Sequence, residues 1–406
     1  MEPLSPTKAR SACPRVPGFK AAGLHCGIKG ENPDLALIVS DVPAQAAGVF
    51  TQSTLVGAPV ALSRENLRAG SVRAIVVNSG VANVAMGVRG ESDALKMTEW
   101  TAAEVGCSSK EVLVASTGVI GEPLPMKALR RGIPVAVESL TEDGLSLAAE
   151  AIRTTDTFPK WASRKVKVGG RNVTVAGIAK GSGMIEPNMA TMLSFLLTDA
   201  QVSSAYLRGV LSRVADRTFN RVSVDGEGST SDSVMLLANG HAGNERFTRR
   251  RQPGAEAFEA AVGDVAESLA RDLARDGEGA TKLVTVEVRG ARTAGEADAA
   301  ARRIANSMLV KTALFGGDPN WGRILQTVGA GRISMNLPRV QVKLAGIMVF
   351  RNGSSCGPAA RRKAAARLEA EEISIELELG AGRQSAGIWT CDLSYEYVRI
   401  NAEYTT

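Results

Sequence analysis

A chain of 406 residues is long enough for two or three domains of about 150 residues each, or for one large body built from two packed halves. Hydrophobic residues at 44% and charged residues at 22% are ordinary for a globular chain and exclude long disordered stretches. The formal charge of +6 comes from Lys and Arg interspersed with Asp and Glu, and aromatics make up only 4%. A basic block and a set of stacking platforms are both missing, so nucleic acid is not the expected partner and small anionic metabolites fit better.

From the N-terminus, residues 1–23 contain prolines and charges but no apolar run of signal-peptide or membrane-span length. Cys13, Cys26, Cys107, Cys356 and Cys391 show no C-x-x-C spacing, so neither a disulfide framework nor a metal site is indicated. The expected location is the cytoplasm. Strand-like runs follow at 35–40, 74–79, 112–116, 172–179 and 191–199, and later at 282–290, 340–350 and 372–380. Helical spacing occupies 92–106, 203–219 with a Ser to cap it, 254–277 with Gly277 as a stop, and 358–370. Several strands alternate cleanly, as in SIELEL and KVKVGG, where a doubly wound parallel sheet would give continuous apolar runs. The fold class read from this pattern is α+β, layered, with largely antiparallel or mixed sheets. One internal echo, DGEG at 225–228 and again at 276–279, is short enough to be coincidence.

Most familiar catalytic sets fail. The only histidines, His25 and His241, lie in no recognisable motif, and no P-loop, G-x-G-x-x-G or G-x-S-x-G opens at a suitable place. What remains is a hydroxyl nucleophile that needs no histidine. In KGSGMIEPNMATMLSFLLTDA, 180–200, a Gly/Pro-rich lead gives way at Thr191 to an apolar run. Attack of the Thr191 hydroxyl on the Ala190 carbonyl, followed by hydrolysis of the ester, would leave Thr191 with a free α-amine. Such an amine titrates near 7.7–8.0 and can act as its own base. A turn feeding a buried strand explains the same letters, and local chemistry leaves both readings open.

The segment KGSGMIEPNMATMLSF closely resembles the cleavage signature of the ornithine acetyltransferase family. Further blocks in family order are ASTGVIGEPLPM (115–126), TTDTFPK (154–160), DRTFNRVSVDGEGSTSDS (216–233), DGEGATKLVTVEV (276–288), GGDPNWGRI (316–324) and NAEYTT (401–406). Together they span nearly the whole chain. The resemblance implies a layered sandwich of two β-sheets between helices, N-terminal-nucleophile-like, formed by two self-cleaved fragments: 1–190, the alpha chain, and 191–406, the beta chain.

The resemblance also implies roles. Thr191 is the nucleophile, Ala190 precedes the cut, and Thr117 with Gly118 forms the oxyanion hole. Thr154, Lys180, Thr191, Glu278, Asn401 and Thr406 contact substrate. These residue types suit an amino acid, because Lys180 can pair with a carboxylate and Glu278 with an ammonium. DPNWGR, 318–323, reads as a Pro-containing turn with an aromatic anchor and no secure role. The 225–233 block is less acidic and less threonine-rich than the family version, which weakens any role for Glu227 or Gly228. The implied reaction is ping-pong transfer of acetyl from N-acetylornithine to glutamate through an acetyl-threonine. No metal or organic cofactor is implied, though acetyl-CoA is a co-substrate in some members. The implied assembly is a heterotetramer of two alpha and two beta chains. An N-terminal-nucleophile aminopeptidase and a non-catalytic binding protein are the alternatives.

Overall fold

The computed structural model describes residues 13–186 and 192–403. Its first sheet has eight strands: β1 (Phe19–Leu24), β2 (Leu35–Phe50), β3 (Ser71–Val81), β4 (Val112–Val119), β5 (Lys160–Val168), β6 (Arg171–Lys180), β7 (Leu193–Thr198) and β8 (Ser233–Ala238). They run in the order β4-β3-β2-β8-β7-β6-β5, with β1 laid against β2. β3 with β4 and β7 with β8 are parallel, and the other pairs are antiparallel. Every residue of β7 and β8 is buried, because the central strands are covered on both faces. Alternation survives where cover is one-sided, as along Glu372–Glu378.

Helices α1 (Ala58–Asn66), α2 (Gly87–Val105), α3 (Met126–Glu138), α4 (Leu145–Ala151), α5 (Ser204–Arg217) and α6 (Ala255–Arg275) cover this sheet. Leu35 and Leu37 of β2 pack with Met97 of α2 and Leu129 of α3, whereas Ile38, one step out of phase, packs with Leu145 and Ala148 of α4. On the neighbouring strands, Val175, Leu196 and Leu236 meet Leu207 and Val210 of α5 and Leu269 of α6. Each such fully buried aliphatic side chain stabilises the fold by about 1.5–3 kcal/mol.

The second sheet contains β9 (Leu283–Ala291), β10 (Gln341–Leu344), β11 (Ile347–Arg351), β12 (Ser354–Ser355), β13 (Glu372–Glu378) and β14 (Gln384–Cys391), in the order β12-β11-β10-β13-β9-β14. β9 and β13 are parallel neighbours in an otherwise antiparallel sheet. Along β13, Ile373, Ile375 and Leu377 alternate inward onto a core shared with α7 (Ala294–Ala305) and α9 (Trp321–Ala330). The remaining helices are α8 (Met308–Phe315), α10 (Gly357–Arg367) and α11 (Tyr395–Glu403). Leu273 and Ala274 of α6 share a core with Leu283 and Cys391, which ties the two sheets together. The expected layered α+β class with two mixed sheets therefore holds. No helix among the described residues is long and apolar enough to cross a membrane.

Three local expectations change. The run 340–350 is a hairpin and not one strand, since Ala345 (φ 46°) and Gly346 (φ 77°) form a tight turn between β10 and β11. Helix α6 ends at Arg275, and Gly277 is not its left-handed stop: a Cβ there would lie 2.7 Å from Cys391 Sγ, so close packing is what requires glycine. DPNWGR is more than a turn, because Asn320 caps α9 and Trp321 packs at a tilt against Phe350 with ring centroids 4.7 Å apart.

The order of the first sheet bears on function. β7 and β8 follow position 191 in the chain, yet they lie between β2 and β6, which precede 190. The two halves of the chain share one hydrogen-bonded sheet and its cores.

Candidate active site

The chain ends of several strands converge on one cavity of about 330 Å³. Thr117 and Gly118 lie near the end of β4, in parallel register with Ser79 and Gly80 of β3. Gly118 has φ 130°, and a Cβ there would fall 2.2 Å from the Gly80 carbonyl carbon. Only glycine lets the two strands approach so closely at that φ, and Gly118 lines the cavity.

Lys180 ends β6 and faces Leu193 of β7 in the antiparallel ladder. Its ammonium donates to Thr154 Oγ1 at 2.8 Å and to Thr117 Oγ1 at 3.2 Å. Burial pushes the Lys180 pKa down, and the Asp156 carboxylate opposes that shift. Met192 and Leu193 line the same cavity, with Met192 fixed by Ser233, whose N–H donates to the Met192 carbonyl at 2.9 Å.

Glu278 lines the same cavity. Its backbone N–H donates to the Ser182 carbonyl at 2.9 Å, and its carboxylate accepts from Asn401 Nδ2 at 2.7 Å. A Cβ on Gly183 would lie 2.4 Å from that carboxylate, which explains the second glycine of KGSG. Thr117, Gly118, Thr154, Lys180, Glu278 and Asn401, scattered over 285 positions, all line one cavity. Ala190, Thr191 and Thr406 lie outside the described residues.

The DGEG echo belongs to the site. Asp225 of the first copy accepts from the N–H groups of Met184 and Ile185 at 2.7 and 2.8 Å, where Met184 takes φ 55°. Asp276 of the second copy accepts from the N–H and hydroxyl of Thr157. Each aspartate thus holds backbone from the first half of the chain, and each copy's glutamate, Glu227 or Glu278, faces the cavity. The repeat was the available signal for Asp225 and Asp276, and its shortness hid it. Glu227 and Gly228 do line the pocket, although the departure of their block from the family pattern argued against them.

Two further groups escaped sequence reasoning. Asp232 is 3% exposed, and burial pushes its pKa well above the ordinary carboxyl range. Tyr397 donates its hydroxyl to Asp225 at 3.3 Å, and burial raises its pKa. Asp232 stands inside the 216–233 block without a role assigned to it there, and Tyr397 lies in none of the quoted blocks. No group of three or more His, Cys, Asp or Glu arranged to hold a metal ion occurs among the described residues.

The family model described as the ArgJ family matches residues 20–406. The arginine biosynthesis bifunctional protein ArgJ of a Synechococcus strain is 48% identical over 400 residues, covering 96% of both chains. Its counterpart in Geobacillus kaustophilus is 45% identical over 390 residues, covering 96% of this chain and 95% of the other. The crystal structure of the ArgJ protein of Bacillus halodurans matches with a TM-score of 0.50 and 42% identity, over 53% of this chain and 100% of that one.

Proposed function

The chain belongs to the ArgJ family, and we propose that it moves acetyl from N2-acetyl-L-ornithine to L-glutamate in arginine biosynthesis, on a threonine freed by self-cleavage. The observation that carries this is the single cavity holding Thr117, Gly118, Thr154, Lys180, Glu278 and Asn401 where β7 begins.

Thr191 immediately precedes Met192, which lines that cavity. In the proposed first half-reaction the Thr191 hydroxyl adds to the acetyl carbonyl and its α-amine takes the proton. Thr117 Oγ–H and the Gly118 N–H receive the negative oxygen, a kind of donor whose loss can raise the barrier by about 2.7–4 kcal/mol. The ornithine amine leaves with the proton, giving an acetyl-threonine ester. Glutamate then attacks the ester through its amine, and the Thr191 hydroxyl is restored. The α-amine carries the proton in both directions, so histidine is not needed. Lys180, with Thr154, takes the substrate carboxylate, and Glu278, steadied by Asn401, takes the ornithine ammonium. Thr406 is assigned to the substrate site by the family resemblance alone. The sequence of steps draws on no metal or organic cofactor. Acetyl-CoA as a second donor is a separate reading, tested by glutamate acetylation with acetyl-CoA alone.

The cut between Ala190 and Thr191 would leave 1–190 and 191–406 joined through the shared sheet. The share of this chain matched by the whole Bacillus halodurans chain, 53%, is about what 191–406 makes up, which supports two fragments. The proposed assembly has two of each and resides in the cytoplasm. Cys26, Cys107, Cys356 and Cys391 form no disulfide, as a reducing compartment favours.

The test has two parts. On a denaturing gel the purified protein gives two bands and Thr191→Ala one band near 42.5 kDa. Incubated with N-acetylornithine, the enzyme releases ornithine freely only when glutamate is present. Equal release without glutamate would replace the transferase reading with a hydrolase.

A further inference from the structure

Behind the cavity lies a charged cluster that the acetyl-transfer mechanism does not use. Lys160, at the start of β5, is 0% exposed. Its ammonium donates to Asp156 Oδ1 at 2.6 Å and to Asp276 Oδ2, and lies 5.0 Å from the centroid of the Phe158 ring. Both carboxylates are buried. Burial of an ionic group costs several kcal/mol unless hydrogen bonds satisfy its remaining positions, and here they go to particular places.

Asp156 also accepts from the Gly181 N–H at 2.7 Å, next to Lys180, and from the Thr154 N–H at 3.1 Å. Asp276 accepts from Thr157, and its backbone carbonyl accepts from Ser182 Oγ. The Ser182 carbonyl in turn accepts from the Glu278 N–H. Burial alone would raise the Asp156 pKa, but the Lys160 and Lys180 ammoniums hold it below the ordinary carboxylate range. Two carboxylates and two lysines balance in charge, and only the Lys180 ammonium reaches the cavity.

We propose that Lys160 is a positioning residue for acetyl transfer: through Asp156 and Asp276 it sets the spacing between Thr154 and Lys180, from the first half of the chain, and Glu278, from the second. This rests on the substrate contacts proposed above. The distance from a carboxylate anchor to an ammonium anchor selects an amino acid of given length. It spans the two halves of the chain, so after cleavage only non-covalent links can hold it. Lys160, fully buried, is bonded directly to a carboxylate from each half, Asp156 and Asp276.

An ordinary structural ion cluster would occupy the same space, and kinetics separate the two. Lys160→Met alone leaves two buried carboxylates facing each other and is expected to unfold readily. The paired variant Lys160→Met/Asp276→Asn removes one charge of each sign, and Ser182→Ala deletes only the hydroxyl link to Asp276. In both, KM for N-acetylornithine and for glutamate is expected to rise roughly tenfold while kcat stays within about threefold, the signature of lost binding geometry. A lowered thermal midpoint with both KM values unchanged overturns the proposal. Should the paired variant not fold, Ser182→Ala decides alone. Thr154→Ala and Glu278→Gln run alongside: if they also leave KM unchanged, the substrate contacts themselves are wrong, whereas a rise in these two only refutes the role of Lys160.

Discussion

Lys180 Nζ stands 3.2 Å from Thr117 Oγ1 and 2.8 Å from Thr154 Oγ1, so one ammonium serves both hydroxyls. An ammonium has donors and no acceptor, so both oxygens must accept, and each hydroxyl proton is turned elsewhere. For Thr117 the open direction is the cavity, where the reacting carbonyl oxygen would develop charge. Thr117→Val, of similar shape but without the proton, is expected to lower kcat about 10²- to 10³-fold with little change in KM. Thr154→Val should show the opposite split, a raised KM with kcat retained. Steady-state kinetics with N-acetylornithine and glutamate check both. Lys180→Met should combine the two effects, and a variant that lost binding alone would remove Lys180 from the orientation of Thr117.

Gly118→Ala tests the close approach of β3 and β4. The new Cβ would meet the Gly80 carbonyl carbon at 2.2 Å, and φ of 130° disfavours any side chain. Backbone atoms cannot yield as a flexible side chain would. A loss of at least about 2 kcal/mol in urea unfolding is expected. Gly121→Ala, three residues on and with nothing within 4 Å of its Cβ position, separates contact from strain. Its φ of 82° leaves strain alone, at a cost of about 1 kcal/mol.

Much of this was legible in the sequence, for physical reasons that differ by element. β7 read as a strand because the central strands of a covered sheet need unbroken apolar runs, whereas the equally buried β8 was not among the runs picked out. Helix α5 was announced by Ser203, whose side chain does accept from the Tyr206 N–H. Helix α3 escaped because Pro134 sits inside it. α7 escaped because its buried face is mostly alanine, which gives little contrast with its polar face. In the site, Thr117, Lys180 and Glu278 were reachable through motif resemblance. Lys160 and Asp232 stand inside quoted blocks, 154–160 and 216–233, but received no role there, since their importance lies in burial and partners that no spacing along the chain encodes.

Asp225 offers a stability test tied to the first DGEG turn. Its carboxylate receives two adjacent backbone N–H groups, and it holds Met184 at φ 55°. Hydrogen bonds to a charged acceptor contribute about 1.5–3 kcal/mol each. Asp225→Ala should therefore cost about 3 kcal/mol in total, read by denaturant unfolding. Because Met184 and Ile185 lead towards the proposed cut, the same variant should also form fragments more slowly on a denaturing gel. Unaltered cleavage together with lowered stability would confine Asp225 to a structural part.

Asp232 makes stability depend on pH with a definite sign. Burial raises its folded pKa well above the ordinary carboxyl value, against opposing donation from the Met192 N–H and Ser229 and the field of Lys180. The folded protein therefore keeps a proton that the unfolded chain, with a carboxyl pKa of about 3.9, releases. Where the native state binds more protons, stability falls as pH rises. The Asp232 contribution is complete below about pH 3.9 and is lost as pH climbs through its folded value. Asp156 acts in the opposite sense, since its folded pKa is lowered, and its contribution disappears only on acidification below that same value. Asp276 and Asp199 share the direction of Asp232, so wild-type data alone would merge the three. Asp232→Asn isolates the term, because the amide keeps the shape and cannot titrate. Urea unfolding of both proteins at intervals from pH 4 upward should show the wild type losing stability relative to the variant, by about 1.4 kcal/mol for each pH unit within the window. Parallel curves would mean that the Asp232 carboxyl is already ionised in the folded protein.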